Sequence, residues 1–376
     1  MGGLTVSLVR DRERLQAIVP AWEKLASHAC ETNPFYEPWF LLPALASQGA
    51  ANLECVLMWQ GAELVGLFPF ERQRRYKGMP IATLASWRHS AHLLCTPLLR
   101  ADAAAECLRA LFAWRAPDAS AVELRYVPAR GPFADALARA LRTARAAYAT
   151  TQFSRPLLRK APSPEAYLAQ LSPHLRKDLR RKDRRLRERA GYREIVRGPG
   201  EDFSAEIEEF IALEASGWKG AAGGAIACSE TGLRFGREVL GEAARRGRLH
   251  MVGIDCEGRA LARRFTLLAG HGAFAFKTAY DESYAAYSPG VLAEVLRIRE
   301  LHRLPGLDWA DSYTDPDNAT ASRMWKERRE LQNVAVALGA WGDFWLSMLP
   351  LARWTARRVA HLRSSSSARQ NFSISR

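Results

Sequence analysis

The segment Lys277–Gly290 runs from a strand-like stretch directly into the start of a helix. Ser288 is a good N-cap residue, Pro289 suits the first helical position, and Gly290 allows another group to approach the backbone closely. Apolar residues follow at helical spacing: Val291, Leu292, Val295, Leu296 and Ile298. Free amides and the positive end of the helix dipole converge at such a start, which predicts a site for an anion such as a pyrophosphate. The alternative is an ordinary capped helix.

Three carboxylates are candidates for acid–base or orienting roles. Glu214 lies near the end of a predicted helix, before a glycine-rich loop, and its structural alternative is an ion pair with Lys219. Asp311 ends a short predicted strand and Asp281 follows a longer one. Both of these aspartates also suit ordinary turns, so the two interpretations stay open.

The net charge of +14 over 376 residues is concentrated in two segments. His174–Arg189 contains nine lysines and arginines and three acids, and Arg353–Arg376 contains six arginines and no acid. The remainder of the chain is close to neutral. A general nucleic-acid-binding surface would spread its basic residues more widely, so that class of function is not expected.

The other polar residues give no sign of a metal or a disulfide framework. Six cysteines occur without a CxxC pair, which indicates reduced thiols and a cytoplasmic protein. Histidines and carboxylates lack metal-ligand spacing, so no metal is predicted. No apolar run is long enough to span a bilayer.

The order of predicted elements indicates an α/β protein with mixed sheets. The first half mixes strands and helices, and Lys160–Pro164 is the best linker candidate. The second half reads strand, two helices, three antiparallel strands, helix, strand, helix, strand. These patterns predict domains at 1–160 and 161–340, followed by a basic amphipathic helix and a disordered tail at 341–376.

A family resemblance rests on four segments of sequence: Leu213–Gly220, Phe276–Asp281, Tyr287–Gly290 and Met324–Arg328. Together with the order of elements, they resemble the GNAT acyltransferases. The detailed match is to the BioF2-like, CelD-type acetyltransferases, which are relatives of the Fem aminoacyl transferases. The resemblance covers Ser163–Leu338, and the N-terminal half is similar to a companion GNAT-like domain in element order. It implies tandem GNAT-like domains, each a mixed, mostly antiparallel sheet flanked by helices.

The resemblance also implies a substrate, acetyl-CoA or another acyl-CoA. The implied contacts are Lys277, Thr278, Tyr287, Ser288, Pro289, Gly290, Val291 and Asn318. Asn318 matches an asparagine that opens a helix in many GNAT enzymes. Seven residues later those enzymes have a tyrosine that protonates the departing thiolate, whereas this chain has Trp325, whose indole cannot serve as that acid at neutral pH. Tyr313 or a water is then the expected proton donor.

The function implied by the resemblance is an acyl-CoA-dependent N-acyltransferase in which an amine attacks the thioester directly. Strand amides would stabilise the developing oxyanion. The acceptor would be a small-molecule or glycan amine, as in cell-envelope or exopolysaccharide biosynthesis.

Two alternatives stay open. The basic segment at His174–Arg189 favours a Fem-like transferase that uses aminoacyl-tRNA. The segment Trp341–Arg363 mixes aromatic residues, leucines and arginines, a composition typical of an interfacial helix. It predicts peripheral contact with an anionic membrane at its inner face, and docking of the segment against the protein body is the alternative. The composition also fits a non-catalytic protein of envelope assembly.

Overall fold

A computed structural model describes residues 3–49, 52–89, 93–116 and 118–350, and it contains one 13-stranded mixed sheet. The strands are β1 (Leu4–Val9), β2 (Leu53–Gln60), β3 (Glu63–Gln73), β4 (Thr83–Ser86), β5 (Leu98–Leu99), β6 (Ala121–Pro128), β7 (Ala147–Arg159), β8 (Arg193–Arg197), β9 (Leu249–Cys256), β10 (Arg259–Ala269), β11 (Gly272–Tyr280), β12 (Trp309–Asp311) and β13 (Glu327–Ala337).

Helices cover both faces of this sheet. They are α1 (Arg12–Ala17), α2 (Val19–Ser27), α3 (Pro38–Gln48), α4 (Ala104–Ala113), α5 (Pro132–Leu141), α6 (Pro164–Ala169), α7 (Pro173–Arg187), α8 (Ser204–Ser216), α9 (Trp218–Ala221), α10 (Glu230–Arg245), α11 (Pro289–Arg303), α12 (Ala319–Met324) and α13 (Ala340–Ser347). Helices α1 and α2 are separate, because Pro20 lacks the amide that a continuous helix needs.

The two halves of the sheet repeat one topology. Strands β1 to β4 form an antiparallel meander, and β4 then pairs in parallel with β6. Strands β8 to β11 do the same, and β11 pairs in parallel with β12. The predicted mixed fold with tandem GNAT-like sheets is therefore confirmed.

The halves are joined by an exchange of their last strands. Strand β7, from the first half, pairs with β12 of the second, and β13, from the second half, pairs with β6 of the first. The exchanged strands also pair with each other, from Glu327 opposite Leu157 to Val336 opposite Ala147. Each half is thus completed by a strand from the other, while the domain limits at 160 and 340 stay predictions.

An aromatic cluster packs the two halves together on one face of the sheet. Phe35 contacts Phe274 edge to face at 5.3 Å, and Phe40 contacts Phe276 at 5.5 Å. Phe35, Phe40 and Phe274 are fully buried, so their burial stabilises this contact by about 2 kcal/mol for each ring. The second half of the chain, which contains most of the site described below, is therefore packed against the first half.

The C-terminal segment is only partly described. Helix α13 covers the first residues of the predicted amphipathic region, and residues 351–376 lie outside the described ranges. Among the described residues, no helix combines the length and the apolar character that crossing a membrane requires. The same residues contain no cluster of three or more metal-ligating side chains.

Candidate active site

The edge of the sheet opens between β11 and β12. These strands pair only from Gly272 to Phe274, and β11 then continues alone to Tyr280. A cavity of about 540 Å³ occupies the opening. It is lined by Trp218, Lys219, Arg264, Ala275, Phe276, Thr278, Tyr280, Ala285, Ser288, Pro289, Gly290, Val291, Glu294, Arg297, Ser312, Tyr313, Thr314, Asn318, Thr320 and Ala321. Seven of the twelve predicted site residues are in this lining.

The start of α11 differs from the predicted capped helix. Ser288 adopts a left-handed conformation with φ 53°, and its side chain makes no capping hydrogen bond. Instead the Ser288 carbonyl accepts from the amides of Val291 and Leu292, and its hydroxyl lies 3.0 Å from the Lys182 ammonium. Pro289 has no amide hydrogen. Within the described residues the Gly290 amide has no acceptor, so it is available to an anion beside Lys182.

Gly290 is needed for packing as well as for access. A Cβ at this position would lie 3.0 Å from Cδ1 of Tyr280 and 3.2 Å from its Cγ. The Gly290 carbonyl accepts two hydrogen bonds from Arg264, at 3.0 and 2.7 Å. The predicted close approach therefore exists, and it involves the Tyr280 ring and a buried arginine.

The sheet also leaves amides unpaired at the centre of the cavity. Lys277 pairs with Phe265 and Ala275 pairs with Thr266, so Phe276 is an extra residue that forms a bulge in β11. Beyond Phe274 the other edge of β11 has no β12 partner. Backbone amides on this edge are suitable donors for an oxyanion.

Asp311 is enclosed by cations and is fully buried. Its carboxylate accepts from the Arg155 guanidinium at 2.6 and 2.7 Å, from Arg329 at 3.0 Å and from the Tyr313 amide at 2.9 Å. Although burial opposes ionisation, the two guanidiniums and this amide hold the pKa of Asp311 below its usual range. A carboxylate held by two guanidiniums with a lowered pKa is a poor proton acceptor, so this geometry favours a structural role for Asp311.

Tyr313 lines the cavity in a strained conformation, with φ 49°. Its ring stacks on Phe35 with centroids 4.1 Å apart, and its hydroxyl oxygen accepts from the Leu93 amide at 2.8 Å. Burial raises the pKa of Tyr313 well above its usual value, so the hydroxyl keeps its proton at neutral pH. The predicted role as proton donor is compatible with this environment and stays a prediction.

Glu214 and Lys277 lie on the sheet face opposite the start of α11. Glu214 is buried, and it accepts from the Lys219 ammonium at 3.0 Å and from the Ile226 amide at 2.9 Å. Lys277 lies 3.9 Å from the same carboxylate, and burial lowers its pKa. The structure therefore separates Lys277 from the predicted pyrophosphate site and places it beside the candidate base.

Asp281 and Tyr287 fill structural positions at the turn before α11. Asp281 accepts from the amide and the hydroxyl of Ser283, at 2.9 and 2.6 Å, as its turn interpretation predicts. The Tyr287 ring packs under the Arg185 guanidinium, 5.2 Å from the ring centroid. Neither side chain is part of the cavity lining.

Asn318 and Thr278, unlike Asp281 and Tyr287, lie at the cavity. Asn318 caps α12 by accepting from the Ala321 amide at 2.9 Å, as its position at a helix start predicts. Thr278 accepts from Arg264 at 3.2 Å. Both residues line the cavity.

Sequence reasoning missed a buried ionic cluster under α11. Arg264, Glu294 and Arg297 are at most 9% exposed, and the Trp325 indole donates to Glu294 at 2.8 Å. Burial lowers the pKa of Arg264 to about 10. The spacing of Glu294 and Arg297 indicates an intrahelical ion pair, but nothing in the sequence signals that this pair is buried.

The comparison with known families agrees with this architecture. Residues 173–327, from the start of α7 to the start of β13, match a family model described as an acetyltransferase (GNAT) domain. No curated protein matches the sequence significantly. Residues 173–327 are thus similar to a GNAT acetyltransferase domain, and the chain has the fold of the GNAT-type acyltransferases.

Three solved structures are similar over most of their length. FemX has a TM-score of 0.55 at 9% identity, with 84% of this chain and 95% of FemX covered. A conserved protein of unknown function from Bacteroides thetaiotaomicron VPI-5482 has a TM-score of 0.51 at 11% identity, with 89% and 100% covered. The C-terminal DUF2156 domain of a putative lysylphosphatidylglycerol synthetase from Agrobacterium fabrum has a TM-score of 0.50 at 10% identity, with 88% and 95% covered. At these identities the similarity establishes the fold alone.

Proposed function

We propose that this protein is an acyl-CoA-dependent N-acyltransferase. The observation that supports the proposal is one cavity that connects the open Gly290 amide at the start of α11 with the unpaired edge of β11. The Gly290 amide and the Lys182 ammonium suit a pyrophosphate. The edge of β11 beside Phe276 suits a thioester carbonyl whose oxygen becomes negative during reaction.

The proposed reaction needs no covalent enzyme intermediate. A neutral amine attacks the thioester carbon, the carbonyl oxygen takes the negative charge, and the C–S bond then breaks to release the thiolate. Tyr313 retains the proton that the thiolate requires. The resemblance to envelope-related transferases makes a small-molecule or glycan amine the proposed acceptor, in cell-envelope or exopolysaccharide biosynthesis.

Glu214 is the carboxylate that we assign as general base in this proposal. Unlike Asp311, whose oxygens are held by two arginines, Glu214 faces lysines beside β11 and contributes to the wall of a small pocket there. That pocket adjoins the main cavity through Trp218, Lys219 and Thr278, which line both. In this proposal the proton removed from the amine passes to Glu214, on the face of β11 opposite the start of α11.

Replacing Glu214 with glutamine is expected to lower kcat by about tenfold or more, because the amide cannot accept the proton. The dissociation constant of acetyl-CoA should stay within about twofold, because the start of α11 is untouched. Steady-state kinetics and calorimetry measure the two effects. Glu208→Gln is the matched control, since Glu208 lies on the same helix but is exposed and paired with Arg237. An unchanged kcat in Glu214→Gln would remove this base assignment.

The proposed function itself is tested by titrating ribonuclease-treated protein with acetyl-CoA in a calorimeter. Saturable binding at a single site is the expected result. Absence of binding to acetyl-CoA and to longer acyl-CoA esters would contradict the proposal and would favour the non-catalytic alternative.

A Fem-like transferase that uses aminoacyl-tRNA is the second candidate. The observation that favours it is the exposed basic face of α7, where one acid, Asp178, and five other residues line a surface groove: His174, Lys177, Arg180, Arg181 and Arg184. Such a face suits the phosphate backbone of RNA. Transfer that requires aminoacyl-tRNA, with no binding of acyl-CoA, would select this candidate.

A further inference from the structure

The floor of the cavity carries an excess of positive charge. Arg264 and Arg297 both form ion pairs with one carboxylate, that of Glu294, and all three side chains are almost completely buried. Among the described residues, no other carboxylate forms an ion pair with either guanidinium. Two cations and one anion leave a net charge of +1, and a buried charge without a partner is costly.

Arg297 is the residue that remains incompletely paired. It lines the cavity and is 4% exposed, yet its Nη1 has no hydrogen-bond partner. Arg264, by contrast, bonds to the Gly290 carbonyl, Thr278 and Glu294. The Trp325 ring centroid lies 5.3 Å from the Arg297 guanidinium carbon, and this contact fixes the side chain in place.

Arg297 belongs to a part of α11 beyond the helix start where the pyrophosphate is proposed to bind. Arg297 follows Gly290 by seven residues on α11, which corresponds to about 10 Å along the helix axis. The candidate partner of the free Nη1 of Arg297 is an anionic group in the cavity beside this part of α11. An acyl-CoA can carry two negative groups, the pyrophosphate of its CoA part and a carboxylate at the end of its acyl group.

We propose that Arg297 binds a carboxylate carried by the acyl group of the donor, so that a dicarboxylic acyl group such as succinyl is used in preference to acetyl. This inference rests on the acyl-CoA site proposed above. The same positive floor repels the ammonium of an aminoacyl donor, which adds a reason to rank the tRNA-dependent candidate second.

The test compares three thioesters by calorimetry: succinyl-CoA, acetyl-CoA and 4-methylpentanoyl-CoA, a neutral ester of similar shape to succinyl-CoA. The parent protein should bind succinyl-CoA on the order of tenfold more tightly than the other two, the usual value of one charge-assisted hydrogen bond. Arg297→Met should remove this preference while leaving acetyl-CoA affinity within about twofold. Arg303→Met is the matched control, because Arg303 is an exposed arginine on the same helix.

Each outcome of this test is decisive. Equal affinity of the parent for all three esters would overturn the inference while leaving the acyl-CoA site intact. If a folded Arg297→Met loses affinity for all three esters, Arg297 contacts the pyrophosphate instead. That result would also overturn the inference. If Arg297→Met does not fold, the comparison of esters on the parent still decides. No binding of any ester would contradict the proposed function itself.

A second, independent observation concerns the surface of α13. Trp341, Phe344 and Met348 are 54%, 57% and 38% exposed, and they lie at helical spacing on one side of the helix. The opposite side is fixed to the body, because a Cβ at Gly342 would lie 1.9 Å from the Ser120 carbonyl oxygen and Leu346 is fully buried. Residues 351–376 follow directly, with six arginines and no acid.

We infer that this face of α13 docks on an anionic lipid membrane. Aromatic side chains enter the interface while the adjacent arginines meet lipid phosphates, each contributing on the order of 1 kcal/mol. The full chain should float with phosphatidylglycerol vesicles at low salt, and less so at high salt or with phosphatidylcholine vesicles. The double variant Trp341→Ser, Phe344→Ser should lose most of this flotation.

Trp218→Ser is the matched control for flotation alone, because Trp218 is 57% exposed on α9, beside the cavity and not on α13. Flotation of the α13 variant equal to that of the parent would contradict the inference. A parent protein that does not float with the vesicles would also contradict the inference, even if it forms a dimer through this face of α13.

Discussion

Replacing Gly290 with glutamate is expected to weaken acyl-CoA binding by more than about 100-fold. The new side chain would place negative charge beside the open Gly290 amide, where the proposed pyrophosphate lies, and like charges brought together cost several kcal/mol. Its Cβ would also press on the Tyr280 ring, 3.0 Å away. Calorimetry with acetyl-CoA measures the loss.

Two variants separate charge from bulk at Gly290. Gly290→Gln has similar size without the charge, so it should bind more tightly than Gly290→Glu. Gly241→Glu places the same side chain in α10, where an added Cβ meets nothing within 4 Å, and it should bind acetyl-CoA as the parent does. A folded Gly290→Glu with the affinity of the parent would show that the donor lies elsewhere.

Asp311→Asn is expected to destabilise the protein by about 3–5 kcal/mol, the usual cost of breaking a buried ion pair. The asparagine amide cannot satisfy Arg155 and Arg329 together, and Arg155 is only 1% exposed. This outcome differs from the expectation drawn from sequence, in which Asp311 served turnover. Urea unfolding measures the loss, and Asp308→Asn, whose side chain is 71% exposed, is the matched control.

The effect of Asp311→Asn should depend on pH in a defined direction. Burial opposes the charge, but Arg155 and Arg329 outweigh it and leave the folded-state pKa of Asp311 lowered. A lowered pKa gives stability that is present above the unfolded value, near 3.9, and is lost as pH falls through the folded value. The difference between parent and variant should be constant from about pH 5 to 8 and should narrow below about pH 4. A stable Asp311→Asn with a large loss of kcat would restore the catalytic interpretation.

The sequence by itself determined the local elements around the site. The predicted order of elements contained the three antiparallel strands that form β9 to β11, and helical spacing located α11. Glu257 and Gly258, both at positive φ, form the turn between β9 and β10. Asn318 caps α12 as expected. These features depend on neighbouring residues, which is why they could be read directly from the chain.

The contents of the site were only partly predictable. The start of α11 was located correctly, but Ser288 adopts a left-handed conformation, and its hydroxyl accepts from Lys182, a residue 106 positions away, instead of capping the helix. Local capping preference contains no information about such a partner. The same holds for Asp311, whose principal partner, Arg155, is 156 residues away.

Only the tertiary structure decided how the two halves combine. The exchange of β7 and β13 depends on pairing between distant strands, and a strand's own sequence specifies which face is buried but not which neighbour it meets. Arg264, Glu294 and Arg297 illustrate the same limit, because charged residues on a helix or strand usually face solvent. Here the packing of α11 on β10 buries all three and creates the charged floor of the cavity. No local sequence pattern predicts this burial.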